Sequence, residues 1–185
     1  MKKYFMALLL IICTGMIIGC AAPQIKLFSD ASDPLQEFTI QGDADEKILV
    51  LSISGIITTK PNQGFLRTMP GLVQETVSQL KKAEQDGKIK CVLIKVDSPG
   101  GTVTAGDMLY HEIMAYKKKT GVKIVVSMMG TADSGGFYVS LPADTIMAHP
   151  TTITGSVGVI IMQPDVSGLM DKIGVDMRVS KSGDQ

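Results

Sequence analysis

Apolar and polar residues alternate along the chain in two patterns, one typical of strands and the other of helices. Short apolar or β-branched runs predict strands, and these lie at 47–58, 90–97, 122–128, 144–149, 157–162 and from 175 onward. The run at 90–97, "KCVLIKVD", is nearly continuous, which is the pattern of a strand covered on both faces.

Segments with helical spacing separate these runs. One helix is predicted within 71–87 and ends at Gly87, a residue type at which helices commonly stop. A second is predicted to start at Thr104, with Asp107 as the partner in a capping-box-like start, and to run to about Lys119. Shorter helices are predicted at 134–141 and 166–174. The alternation predicts an α/β fold with a largely parallel sheet.

The first 46 residues are predicted to lie outside this fold. Residues 1–20 have a basic start, an uncharged apolar run and a final Gly-Cys pair, which is the order of a secretory signal. The ending "IIGC" resembles a bacterial lipobox, which implies that Cys20 is acylated and becomes the first residue of the mature protein. Residues 21–46 are then a flexible tether. The alternative is an uncleaved anchor, and either reading tethers the protein to the cell membrane, facing the periplasm or the cell exterior.

Composition excludes several classes of function. Lys and Arg together number 18 and equal Asp and Glu, and no basic cluster exceeds "YKKKT" at 116–120, so nucleic-acid binding is not expected. Cys13 leaves with the signal and Cys20 would carry lipid, so Cys91 remains as a lone buried thiol without a disulfide framework. The two histidines lie far apart, so we expect neither a metal site nor a cofactor.

Two glycine-rich breaks follow predicted strands, at the strand ends where open α/β sheets place their sites. In "DSPGG" at 97–101, the glycines allow backbone amides to approach a ligand and stabilise an oxyanion, although Pro-Gly-Gly is also an ordinary turn. In "DSGG" at 133–136, Ser134 is either a nucleophile or a helix N-cap.

Taken together, "DSPGG" and "DSGGFYVSLPADTIMAHPTTITGSVGVI" resemble the signal peptide peptidase A family of membrane-associated serine peptidases. The resemblance covers roughly residues 48–185 and implies a Clp protease/crotonase-like fold of repeated ββα units. It implies that Ser134 is the nucleophile, that Gly101 and Gly135 bind the oxyanion, and that Ser156 helps to hold a catalytic lysine. Asp133 departs from the family, in which a small residue is usual beside the nucleophile.

The resemblance also predicts where the general base lies. The family's lysine follows a Ser-Gly pair by about two residues, and the matching pair here is Ser182 and Gly183. The base is therefore expected beyond Gln185, and the domain at 47–185 is expected to be incomplete at its C-terminus. Lys181 is a weaker candidate for this base.

A Ser-His-Asp arrangement is a second candidate, with His149 as the base and Asp144 or Asp165 as the group that orients it. "ADSGG" lacks the leading glycine of the Gly-x-Ser-x-Gly nucleophile elbow, which does not favour this arrangement.

The favoured function is that of a serine-lysine endopeptidase that degrades released signal peptides or similar extended peptides at a membrane surface, as a homo-oligomer in its complete form. An inactive peptide-binding lipoprotein is the alternative, and an acyl-thioester enzyme on a crotonase-like fold is a weaker one. If acyl transfer occurs, Ser134, Gly101 and Gly135 must converge on one point.

Overall fold

The computed structural model describes residues 35–63 and 68–183. The predicted signal peptide, Cys20 and most of the predicted tether lie outside the described residues. The strands are β1 (Lys47–Ser54), β2 (Asn62–Gln63), β3 (Thr68–Met69), β4 (Ile89–Ser98), β5 (Lys123–Asp133), β6 (Thr145–Ala148) and β7 (Ile153–Gly155). The helices are α1 (Leu72–Ala83), α2 (Val103–Thr120), α3 (Gly135–Tyr138) and α4 (Ser167–Ile173).

A parallel sheet organises these elements. Its strands lie in the order β1, β4, β5, β6, and β7 pairs with the C-terminal end of β5. Every pairing in this sheet is parallel, while β2 and β3 form a separate antiparallel pair that the sequence patterns did not predict. The α/β class and the largely parallel sheet are thus confirmed.

The core lies between the sheet and the two long helices. On α2, Leu109, Ile113 and Tyr116 form the predicted apolar stripe, and all three are buried. The helix packs with α1 over one face of the sheet, where Ile94 and Ile124 are fully buried. The opposite face is more open, since Ile48 is 65% exposed and Cys91 is only partly buried. The strand at 90–97 is therefore covered on one face within the described residues, and the prediction of two covered faces is wrong.

Two predicted strands are not strands in the structure. Residues 157–162 are irregular and exposed, because positive φ angles at Gly155 and Ser156 turn the chain away from the sheet after β7. Residues 175–183 are also irregular and exposed, with no neighbouring strand among the described residues to pair with them. Apolar composition alone does not make a strand where no partner strand lies alongside.

The predicted helix start at Thr104 is also wrong. Helix α2 begins at Val103, and the carbonyl of Thr102 accepts the first intrahelical hydrogen bond, from the Gly106 amide at 3.0 Å. The chain enters the helix directly from the loop after β4. Asp107 is not a capping partner, because it accepts a hydrogen bond from the Tyr138 hydroxyl at 3.0 Å.

Candidate active site

Ser134 lies on a sharp turn between strand β5 and helix α3. Its backbone is strained, with φ +48° and ψ −113°, a conformation that L-residues rarely adopt. Two hydrogen bonds hold this conformation: the Ser134 amide donates to the Gly155 carbonyl at 2.7 Å, and the Tyr138 amide donates to the Ser134 carbonyl at 2.9 Å. A strained serine between a strand and a helix is the geometry of a nucleophile elbow.

This elbow forms without the leading glycine of the usual pattern. Ala132 occupies that position and is fully buried. The second glycine of that pattern is present as Gly136, two residues after the serine, and it is needed because a Cβ there would lie 2.6 Å from the Ser98 carbonyl oxygen. Helix α3 therefore rests directly on the end of strand β4.

The loop after β4 lies against the turn that carries Ser134. Gly100 has φ +96°, and a Cβ there would lie 2.8 Å from the Gly135 amide nitrogen and 3.0 Å from the Ser134 Cβ. A Cβ at Gly135 would lie 3.4 Å from the Gly101 nitrogen. Gly101, Gly135 and Ser134 thus share one small region. The two backbones approach so closely that glycine is required at position 100 and a side chain at position 135 would be tightly packed.

Two amides in this region are available to a ligand. Neither Gly101 nor Gly135 donates to a backbone carbonyl within the described ranges, 35–63 and 68–183. The Gly100 carbonyl accepts from the Ile57 amide at 2.9 Å. Because a trans peptide points its N–H opposite to its carbonyl, this bond aims the Gly101 N–H away from Ile57. Such a pair of amides can stabilise an oxyanion.

Ser156 lies beside the turn that carries Ser134. Strand β7 pairs with the end of β5 so that Gly155 is opposite Asp133, and the residue that follows each strand is a serine. Ser134 and Ser156 are the two non-glycine residues with positive φ in the part of the chain that the structure describes, and Ser156 is exposed. The register therefore places Ser156 where it can approach a group that contacts Ser134.

Asp97 was not identified from the sequence. Strand β5 has an irregularity in its pairing with β4 between Val96 and Ser98. The Asp97 carboxylate accepts a hydrogen bond from the Thr131 amide at 2.9 Å, within this irregular stretch of β5. Asp97 thereby fixes the part of β5 that leads into Ser134. The position of an aspartate directly after an apolar run was the available signal.

Asp133 has an unusual environment. One of its carboxylate oxygens, Oδ1, is buried and makes no hydrogen bond to any residue that the structure describes. A buried carboxylate oxygen without a donor is energetically costly. This cost falls on the residue that directly precedes Ser134.

The structure does not assemble the alternative triad. His149 Nδ1 lies 2.8 Å from the Thr151 hydroxyl, a local contact in the loop after β6. Asp144 accepts from the Ile124 amide at 2.9 Å and pairs with Lys123, and these contacts lower the pKa of Asp144 to about 2. Asp165 accepts from Ser167, which lowers its pKa. Neither carboxylate orients His149.

Sequence reasoning also missed a contact that anchors helix α3. The Tyr138 hydroxyl donates to Asp107 on helix α2, and this bond raises the pKa of Tyr138. The Tyr138 ring stacks on Tyr110, with ring centroids 4.9 Å apart. Helix α3 is thus joined to α2 one turn beyond Ser134.

Comparisons with known proteins relate the chain to serine peptidases. Residues 116–185 match the model of peptidase family S49. An Enterococcus faecium protein named as a signal peptide peptidase, SppA, is 36% identical over 158 residues, which are 85% of this chain and 46% of that protein. Protease 4 of Salmonella typhi is 41% identical over 100 residues, which are 54% of this chain and 16% of that protein. The chain therefore spans less than half the length of these two relatives.

A solved structure shares the fold. A mutant of the 1510-N membrane-bound stomatin-specific protease, in complex with a substrate peptide, aligns with a TM-score of 0.50 and 22% sequence identity. The alignment covers 70% of this chain and 57% of that one.

Proposed function

We propose that the complete protein is a membrane-associated endopeptidase that degrades released signal peptides or similar extended peptides, since residues 116–185 match peptidase family S49 and the chain is 36% identical over 158 residues to a protein named as a signal peptide peptidase. The observation that carries this proposal is the strained turn at Ser134 beside the Gly101 and Gly135 amides, which donate to no backbone carbonyl of the described residues. A hydroxyl and two amide donors at one point are the parts that acyl transfer requires.

In the proposed reaction, Ser134 Oγ attacks the carbonyl carbon of the scissile peptide bond. The carbonyl oxygen becomes an oxyanion and accepts hydrogen bonds from Gly101 and Gly135. The Ser134 proton passes to a general base and then to the leaving amine, so that an acyl-enzyme remains. Water, deprotonated by the same base, attacks the acyl carbonyl and releases the second peptide, and Ser134 regains a proton.

We assign the general base to the lysine that the resemblance places shortly after Ser182 and Gly183, beyond Gln185. Ser156 is proposed to hold its amine, and the pairing of β7 with β5 supports this role because it sets Ser156 beside Ser134. The lysine must be partly desolvated, since its ordinary pKa of about 10.4 leaves it protonated at neutral pH.

The test is peptide hydrolysis by the full-length protein. A fluorogenic peptide with an apolar stretch should be cleaved by the wild type and by Ser127→Ala, a control on the same strand with its hydroxyl outside the site. Ser134→Ala should reduce turnover by about a thousandfold or more. Equal cleavage by wild type and Ser134→Ala would refute the proposal. Peptide binding without any cleavage would favour the alternative, an inactive peptide-binding lipoprotein.

Membrane attachment is proposed through Cys20, on the strength of the "IIGC" ending of the apolar N-terminal run. Among residues 35–63 and 68–183, no helix is both long and apolar enough to cross a bilayer. Mass spectrometry of the membrane fraction should find an acylated Cys20 at the N-terminus. A chain that still begins at an unmodified Met1 would contradict the proposal.

A homo-oligomer is proposed for the complete protein. Ile160, Ile161 and Met162 are more than three-quarters exposed, and apolar surface of this kind favours association. Sedimentation of the full-length protein in detergent should give a mass of at least two copies, and a monomer at micromolar concentration would contradict the proposal.

A further inference from the structure

Ser98 has a buried hydroxyl that the reaction described above does not use. The residue is 0% exposed. The hydroxyl donates to the Gly55 carbonyl at 2.6 Å and accepts from the Gly100 amide at 3.1 Å. One hydroxyl therefore joins the loop after β1 to the loop after β4, which are 43 residues apart in sequence.

This hydroxyl fixes the loop that carries the Gly101 amide. Pro99 has no amide hydrogen, so the Gly100 amide is the first backbone donor of the loop. The Ser98 hydroxyl accepts the hydrogen bond from this amide. The next peptide group is held by the bond from Ile57 to the Gly100 carbonyl, and the Thr102 amide donates to the Ile57 carbonyl at 3.0 Å. Gly101 lies between these bonds, and its own amide donates to no backbone carbonyl in the part of the chain that the structure describes.

Ser98 also contacts the nucleophile turn. The Ser98 carbonyl oxygen lies so close to Gly136 that a Cβ there would approach it to 2.6 Å, and the Ser98 Cβ would be 3.4 Å away from the same added atom. The residue that fixes the amide loop is thus the residue on which helix α3 rests.

We propose that Ser98 is a positioning residue for the proposed peptidase reaction, and that its hydroxyl holds the Gly101 amide at the distance from Ser134 that oxyanion binding requires. The inference rests on the proposed function, because it assigns the Gly101 amide to the oxyanion. An oxyanion donor is effective only when it is held in place before the reaction, so loosening the loop lowers the rate of the chemical step more than it lowers substrate binding.

The test uses the full-length protein and two matched variants that each delete one buried hydroxyl. Ser98→Ala removes the hydroxyl of interest, and Thr76→Val removes the hydroxyl of a residue that is 1% exposed and bonds only within helix α1. We expect Ser98→Ala to lower kcat by about tenfold to a hundredfold with KM changed less than about threefold. Thr76→Val should leave both constants near the wild-type values.

A second measurement reports on the loop without depending on activity. Hydrogen–deuterium exchange of peptides that span residues 97–109 should accelerate in Ser98→Ala at the Gly100 and Thr102 amides, and should be unchanged in Thr76→Val. Ser98→Cys, which keeps a weak donor, should lie between wild type and Ser98→Ala in both measurements.

The outcomes separate this inference from the proposed function. An unchanged kcat or an unchanged exchange rate in Ser98→Ala would overturn the positioning role. A Ser98→Ala protein that unfolds at the assay temperature would also overturn it, because Ser98 would then be required for stability instead. Wild type that fails to cleave in a Ser134-dependent way would refute the proposed function, even if exchange at Gly100 accelerates as expected.

Discussion

Replacing Gly101 with alanine tests how closely the loop after β4 packs against the backbone of Ile57. A Cβ at Gly101 would lie 1.9 Å from the Ile57 carbonyl oxygen and within 2.7 Å of two further backbone atoms of Ile57. Cβ contacts shorter than 3.0 Å are essentially never seen, so the loop must move by about an ångström. The obstacle is backbone rather than a flexible side chain, and no rotamer change can relieve it.

The cost of this movement can be estimated from the contacts that it disturbs. Overpacking in a tightly packed site costs about 1–3 kcal/mol. The two hydrogen bonds between Ile57 and the loop, at 2.9 and 3.0 Å, contribute about 1 kcal/mol each and would be weakened. We therefore expect Gly101→Ala to lower the free energy of unfolding by about 3 kcal/mol, and to lower kcat by roughly a hundredfold or more as the amide leaves its position.

Gly106→Ala is the matched control, five residues further along. Gly106 lies inside helix α2, and a Cβ there would meet its nearest neighbours at 3.9 Å, which is ordinary contact. Alanine is favoured over glycine inside a helix by about 1 kcal/mol, so this variant should be more stable than the wild type. Urea unfolding and peptide hydrolysis of the full-length protein measure both effects. Equal unfolding free energies for the two variants would refute the packing argument.

Two further predictions concern strain and charge. Ser134→Gly and Ser134→Ala should both lower turnover by about a thousandfold or more. Ser134→Gly should in addition raise the free energy of unfolding by about 1 kcal/mol, because glycine adopts φ +48° without the strain that serine carries, whereas Ser134→Ala should not. Differential scanning calorimetry distinguishes the two variants, and equal melting temperatures would contradict the strain. Asp144 has a pKa lowered to about 2 by the Ile124 amide and Lys123, so its stabilising contribution is fully present above its unfolded pKa near 4 and is lost as the pH falls toward 2. The free energy of unfolding of Asp144→Asn, measured by circular dichroism, should therefore depend less on pH between about 4 and 2 than that of the wild type. An equally steep dependence would show that the contacts of Asp144 do not stabilise the fold.

The sequence allowed prediction of the features that are local in the chain. Apolar runs located the four longest strands of the sheet, and the stripe on α2 located its buried face. The two glycine-rich breaks were expected at strand ends, and the structure places Gly101 and Gly135 together there. Each of these features depends on residue types within a few positions of one another.

Features that depend on distant pairing were not predictable in the same way. The bond from Ser98 to Gly55 spans 43 residues, and the bond from Thr131 to Asp97 spans 34. Such contacts follow from the register between strands, and single-sequence patterns do not fix which residues become neighbours. The strands predicted at 157–162 and from 175 failed for the same reason, since strand formation requires a partner as well as a suitable composition.

The strained conformation of Ser134 has to be maintained by tertiary contacts, because the local sequence offers no glycine at that position. Three separate elements supply them. On strand β7, the Gly155 carbonyl accepts a hydrogen bond from the Ser134 amide. On strand β4, the Ser98 carbonyl lies against Gly136. On helix α2, Asp107 accepts a hydrogen bond from the Tyr138 hydroxyl. Strain of this kind persists only where the surrounding structure over-determines it. The turn that carries Ser134 therefore forms only when the C-terminal edge of the sheet and the helix behind it are both in place. This requirement couples the geometry of the candidate site to the folding of the whole domain.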